Sequence, residues 1–157
     1  MALFDFKKFD AAYNDIMQSD DWLKACEFYK SSKIILFYGH GGNLGIAEHA
    51  AIDVTRITKG EKVGMSLGSS IQTTSLSNDN GYDGLFASWL DFTIKSLNFK
   101  KEDVCCVGIT STGKSDNFKN ALKYIEDHDL KSIYFTANTL IENKKHHAEI
   151  FTDLETY

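Results

Sequence analysis

Residues 33–58 read KIILFYGHGGNLGIAEHAAIDVTRIT, and the order of residue types in them decides the fold. A run of β-formers, Lys33–Tyr38, gives way to the glycine-rich Gly39-His40-Gly41-Gly42-Asn43 and then to a helical stretch, Leu44–Thr58. Glycine lets the chain turn sharply there and come close to a ligand, so strand, glycine turn and helix read as the start of a parallel crossover unit. The rhythm recurs. Val63–Leu67, Val104–Ile109, Ser132–Thr136 and Glu149–Thr152 read as strands, and Leu85–Leu97 and Asn117–Asp127 as helices. The sequence therefore predicts an α/β fold, a three-layer α/β/α sandwich around a five-stranded parallel, doubly wound sheet. Ahead of it, Phe6, Phe9, Tyr13, Ile16 and Met17 recur at helical spacing. Ser19-Asp20-Asp21 then interrupts and caps a second helix carrying Trp22, Leu23, Cys26 and Tyr29.

Composition suits one such domain over residues 1–157, with 43% hydrophobic and 25% charged residues. Seventeen basic against 22 acidic residues give a net charge of −5, which argues against a nucleic-acid backbone as partner but not against one small anion. No apolar run reaches the roughly 20 residues of a membrane span. The opening MALFDFKKFD lacks the basic start and apolar core of a signal peptide, so the expectation is a cytoplasmic protein without a membrane partner. Cys26 and the adjacent Cys105 and Cys106 form no metal-binding spacing and read as small core residues.

Two loops carry the candidate chemistry. Gly39–Asn43 follows a strand and precedes a helix, the place where free N–H groups favour an anion. A dinucleotide fingerprint would need glycine where Leu44 stands, and Glu61 precedes the second strand instead of ending it. Gly108-Ile-Thr-Ser-Thr-Gly113-Lys114-Ser115 matches the G-x-x-x-x-G-K-[ST] phosphate loop of nucleotide hydrolases. The stretch after Ser115 is short for the strands such an enzyme adds, and its best later metal-binding acid is Asp153. Thr110, Ser111 and Thr112 also let this loop hold a phosphate through hydroxyls and backbone N–H groups together.

Taken together, the two loops resemble the sugar isomerase (SIS) domain, in its phosphoheptose isomerase branch. Tyr38–Asp53 is similar to that family's GNGGSAADAQHFAAE segment, and Ile109–Asn117 resembles its ISTSGNSEN loop, with Lys114 in place of an asparagine. Ser77-Asn-Asp-Asn-Gly-Tyr-Asp83, followed by Phe86, resembles NDYGYD…F. The resemblance implies a sugar-phosphate site built from Gly41, Gly42, Asn43, Thr110, Ser111, Thr112 and Ser115. It puts His49 on a zinc-ligand histidine, Asp53 on the catalytic and metal-binding glutamate, and Asp79 on an aspartate near the sugar chain. His40 replaces an asparagine. Residues four apart share a helix face, so His49 and Asp53 can converge on one zinc ion.

In the family a further helix supplies a glutamine and a histidine after the last strand, and the residues Asp153–Tyr157 contain neither. The remaining acid–base group would then come from a second subunit, from residues beyond Tyr157, or from His146 or His147, in the run Lys144–His147 that reads as a solvated loop. Two function classes follow. One is an aldose–ketose isomerase of sedoheptulose 7-phosphate, with Asp53, His49 and Asp79 as catalytic residues and zinc on His49 and Asp53. The other is a non-catalytic phosphosugar-binding module, with nucleotide hydrolysis as a third reading. Self-association as a dimer or tetramer through the aromatic N-terminal helices, Leu3–Met17, is expected in either case.

Overall fold

A computed structural model describes residues 6–137 and 146–151. Helices α1 (Phe6–Gln18) and α2 (Asp20–Ser31) lead into β1 (Ile34–Gly39), α3 (Gly42–Ile57), β2 (Val63–Ser66), α4 (Ser70–Asn80), α5 (Leu85–Ser96), β3 (Val104–Ile109), α6 (Asp116–Asp127), β4 (Lys131–Thr136) and β5 (His147–Phe151). Short 3-10 turns at Tyr82–Gly84 and Lys101–Asp103 precede α5 and β3. Ser19 caps α2 as its sequence demands, its hydroxyl accepting from the Trp22 N–H at 3.1 Å.

The five strands pair in parallel in the order β2-β1-β3-β4-β5. Strand direction of connection reverses between β1 and β3, which makes their carboxyl ends the topological switch point of the sheet. These two neighbouring strands are almost wholly buried, which explains their unbroken apolar runs. Alternation sorts each strand between two cores. Ile34, Leu36, Tyr38 and Cys106 pack with Phe86, Trp89 and Leu90 of α5 and Phe118, Ala121 and Ile125 of α6. Ile35, Phe37 and Cys105 pack with Ala25 of α2 and Ala47 and Ala51 of α3. Cys105 and Cys106 thus lie on opposite faces, and burial pushes both thiols up, that of Cys105 to about 12. They are core residues, as their sequence context implies.

The small residues set spacing. A Cβ on Gly64 of β2 would collide with the Ala51 carbonyl, so α3 lies directly on the strand only because position 64 is glycine. On the other face a Cβ on Gly108 would stand 2.8 Å from the rings of Phe118 and Tyr134.

Two segments differ from their sequence reading. Ser70–Asn80 is a helix, where no helix was expected, and none of its residues is buried. His147 is not in a solvated loop: it opens β5, is 4% exposed, and shares a 2.6 Å hydrogen bond with the Ser132 hydroxyl. Pairing of β5 with β4 outweighs the polar character of that run. Among the described residues no helix is long and apolar enough to cross a membrane. Leu3 and Phe4, and the region Asp153–Tyr157, lie outside the described residues.

Candidate functional site

The β1–α3 and β3–α6 loops meet at the switch point because their strands are neighbours. Gly39 and Ile109 are register partners on the final rung, so His40 and Thr110 leave the sheet side by side. Gly41, at the start of α3, has φ +52° and ψ −121°, a backbone conformation that only glycine adopts without strain. Its helix carries no side-chain cap. The His40 carbonyl instead accepts from the N–H of Asn43 at 2.9 Å, which folds Gly41, Gly42 and Asn43 into a tight turn with the two glycines exposed.

The second loop is braced from within. Thr110 continues the sheet by donating its N–H to the Phe135 carbonyl, and its hydroxyl oxygen accepts from the Gly113 N–H at 3.0 Å. Accepting through oxygen leaves that hydroxyl a proton to donate, which is what a phosphate oxygen requires. The Thr112 hydroxyl accepts from the Lys114 N–H at 3.4 Å, and Gly113 turns the chain at φ +63°. Ser115 is the N-cap of α6 but its side chain makes no cap hydrogen bond. The loop therefore offers hydroxyls and a helix N-terminus at the switch point, groups that favour an anion. Ser111 and Thr112 are both exposed.

Between the loops stands a group that sequence reading noted only as the replacement of an asparagine. His40 is half-buried, its ring centroid 4.8 Å from Phe86 and 6.3 Å from Tyr82. Burial lowers its pKa from the usual histidine value, and neighbouring Asn117 opposes that in part. Asn117 is fully buried; its side chain is loosely hydrogen-bonded to the His40 ring, and neither Nδ2 nor Oδ1 completes a hydrogen bond of good geometry. The Asn120 side chain donates to the Asp83 carbonyl at 3.0 Å and ties α6 to the turn that carries Tyr82. The segment containing Asp79 thus reaches the crevice through Tyr82 and Phe86.

Asp79 itself is exposed in the last turn of α4, where its carboxylate accepts from the Asn78 amide at 3.1 Å. His49 and Asp53 do meet: Nε2 and Oδ2 are 3.2 Å apart on the outer face of α3. They line a shallow groove of about 590 Å³ together with Tyr29, Gly42, Ile46 and Ile57. Arg56 occupies the other carboxylate oxygen at 2.9 Å, and chiefly its hydrogen bond holds Asp53 below the usual carboxylate range, with a smaller pull from His49. A catalytic zinc needs three protein ligands. Among the described residues no group of three His, Cys, Asp or Glu side chains converges, and a guanidinium already sits on Asp53. This donor set does not fit that ion.

His146 and His147 cannot complete the crevice. Strands run in parallel, so the start of β5 lies at the amino edge of the sheet, opposite the loops. Burial, with smaller contributions from His146 and Lys24, lowers His147 to about 4.

No family model matches the chain. A phosphoheptose isomerase of Aliarcobacter butzleri is 34% identical over 117 residues, which is 71% of this chain and 58% of that protein. One from Helicobacter pylori is 34% identical over 103 residues, 63% of this chain and 50% of its own length. The chain thus spans 50 to 58% of these curated relatives. In three dimensions it superposes on a phosphoheptose isomerase from Neisseria gonorrhoeae with a TM-score of 0.71 at 21% identity, covering 93% of this chain and 79% of the other. A phosphoheptose isomerase from Francisella tularensis gives 0.67 at 16% identity, with 96% and 84% covered.

Proposed function

We propose that this chain, an SIS-domain relative of the phosphoheptose isomerases, holds a sugar phosphate at the switch point of its sheet and interconverts its aldose and ketose forms. Convergence of the two loops on the β1–β3 rung carries the reading. Thr110, Ser111, Thr112, Ser115 and the first N–H groups of α6 take the phosphate, and Gly41, Gly42 and Asn43 border the sugar. Proton transfer between neighbouring carbons through an ene-diol needs a positioned acid–base group. Asp53, with His49 beside it, and Asp79 are the candidates that the resemblance supplies. With a two-donor set in one chain, the proposal places no metal step there. The domain spans residues 1–157, works in the cytoplasm, and associates with copies of itself through its N-terminal helices. Supporting the last point, Phe6, Tyr13 and Met17 on α1 are exposed and no residue of α1 is buried.

A second reading, a phosphosugar-binding module without turnover, is favoured by one observation. Asp53 is engaged by Arg56 on the outside of α3. Both readings are tested together. Thermal-shift titration should show stabilisation by sedoheptulose 7-phosphate and none by the unphosphorylated sugar. NMR of the same mixture follows conversion: turnover supports the isomerase, and stabilisation without turnover supports the module. Equal stabilisation by ATP with magnesium would favour nucleotide binding and sink both.

A further inference from the structure

We propose that His40 is the proton carrier of the crevice, a catalytic residue that takes a proton from the carbon beside the sugar carbonyl and returns it to the carbonyl carbon. This rests on the isomerase reading. Three observations place the imidazole there. His40 is the first residue after the β1 rung that Gly39 shares with Ile109, one residue from the hydroxyl loop on the neighbouring strand. A molecule anchored by its phosphate at Thr110–Ser115 therefore has position 40 beside it, since adjacent strands lie only about 5 Å apart. Phe86 and Tyr82 hold the ring from one side. Beside it Asn117 is fully buried, its carboxamide only loosely hydrogen-bonded to the His40 ring and without a partner in good geometry. Burying an amide so poorly paired is costly, and sugar hydroxyls or a carbonyl oxygen would complete its hydrogen bonding.

The chemistry balances without an oxidant or an ion. An unprotonated ring nitrogen takes the C1 proton of the ketose. The C–H electron pair becomes the C1=C2 bond, and the carbonyl pair moves to O2, which gains a proton from water. O1 then loses its proton to water, C1=O forms, and the imidazolium gives its proton to C2. A neutral imidazole is needed at the start, and desolvation of His40 favours that form at neutral pH. Tyr82 of the 3-10 turn is the titratable group in ring contact with His40. Phe86 of α5 and Asn117 of α6 carry no charge.

The test compares wild type with His40→Gln and Asp53→Asn, using sedoheptulose 7-phosphate. Three quantities are read: thermal-shift binding, NMR turnover with deuterium uptake at C1 and C2 from heavy water, and the pH profile of kcat. His40→Gln should bind within about threefold of wild type and lose on the order of 100-fold in turnover, a typical loss for one acid–base group. The wild-type rate should fall on acidification below the usual histidine range, and that limb should vanish in whatever turnover His40→Gln retains. Undiminished turnover and an unchanged profile in His40→Gln, with loss in Asp53→Asn, would overturn the proposal and make Asp53 the carrier. Wild type that binds the sugar phosphate but neither turns it over nor exchanges deuterium would overturn the isomerase reading and this proposal with it. Failure to bind at all would remove the sugar-phosphate reading first.

Discussion

Gly39 lies so close to Ile109 across the β1–β3 rung that a Cβ at position 39 would stand 2.8 Å from the Ile109 carbonyl oxygen and 3.2 Å from Asn43. Strand pairing and the first turn of α3 both press on this one position. Gly39→Ala should therefore do two things at once. Overpacking of this kind costs about 1–3 kcal/mol, read as a lower midpoint in urea unfolding. It should also spread the two loops and weaken sugar-phosphate binding. A variant as stable and as tight-binding as wild type would show that the rung relaxes freely.

Ser115→Ala separates binding from stability. The Ser115 side chain makes no cap hydrogen bond, so its removal should change the thermal midpoint little. A hydrogen bond to a charged group is worth about 1.5–3 kcal/mol, so phosphate binding should weaken by roughly 10- to 100-fold. Thr110→Val should lose binding and stability together, because that hydroxyl also braces Gly113. Equal binding by Ser115→Ala and wild type in calorimetry would remove Ser115 from the phosphate site.

How much of this was readable from sequence follows from how local each signal is. Ile34–Ile57 shows its strand, turn and helix within one stretch, and so do the capping of α2 by Ser19 and the hydroxyl loop after β3. Helix α4 was not legible, because SIQTTSLSNDN offers only Ile71 and Leu76 as large apolar residues and buries nothing. The surroundings of His40 were not legible for a different reason. Tyr82, Phe86 and Asn117 reach it from three later elements, and no spacing rule connects them to position 40. Asp53 and His49 were legible as a helical pair, but the hold of Arg56 on that carboxylate also needed its geometry.

His147 should make stability depend on acidity. Its pKa in the folded chain is about 4 against 6.5 for an ordinary histidine. Between those values the unfolded chain binds a proton that the folded chain refuses. The contribution is therefore complete above the unperturbed value and is lost as pH falls towards 4, up to about 3 kcal/mol. Guanidinium unfolding at neutral and mildly acidic pH should show this drop in wild type and a smaller one in His147→Gln, where Gln can still pair with Ser132. An identical drop in both would place the sensitivity elsewhere.

Helix α1 turns Phe6, at 72% exposed, and Tyr13, at 53%, towards solvent, while packing against α2. Apolar surface of this size on one helix calls for cover. Light scattering at micromolar concentration should give a dimer or larger assembly, and Phe6→Ser with Tyr13→Ser should shift it towards monomer without unfolding the sheet. A monomeric wild type would remove α1 from the interface.

Arg56→Met probes whether the Asp53 carboxylate is held in solution as it is on the helix. The Arg56 hydrogen bond is the largest cause of the lowered Asp53 pKa, ahead of an opposing desolvation and a lesser pull from His49. Removing the guanidinium should let the carboxyl titrate nearer the ordinary aspartate range, followed by carbon-detected NMR of the side chain. A carboxylate with a higher pKa is a stronger base. If Asp53 takes part in turnover, the variant should move the acidic limb of kcat upward; if Asp53 only pairs on the surface, the pKa should move and kcat should not. The wild-type shift should also shrink in 1 M salt, since exposed ion pairs are screened over about 3 Å there. An Asp53 pKa that ignores both the substitution and the salt would show that the Arg56–Asp53 contact does not persist in solution.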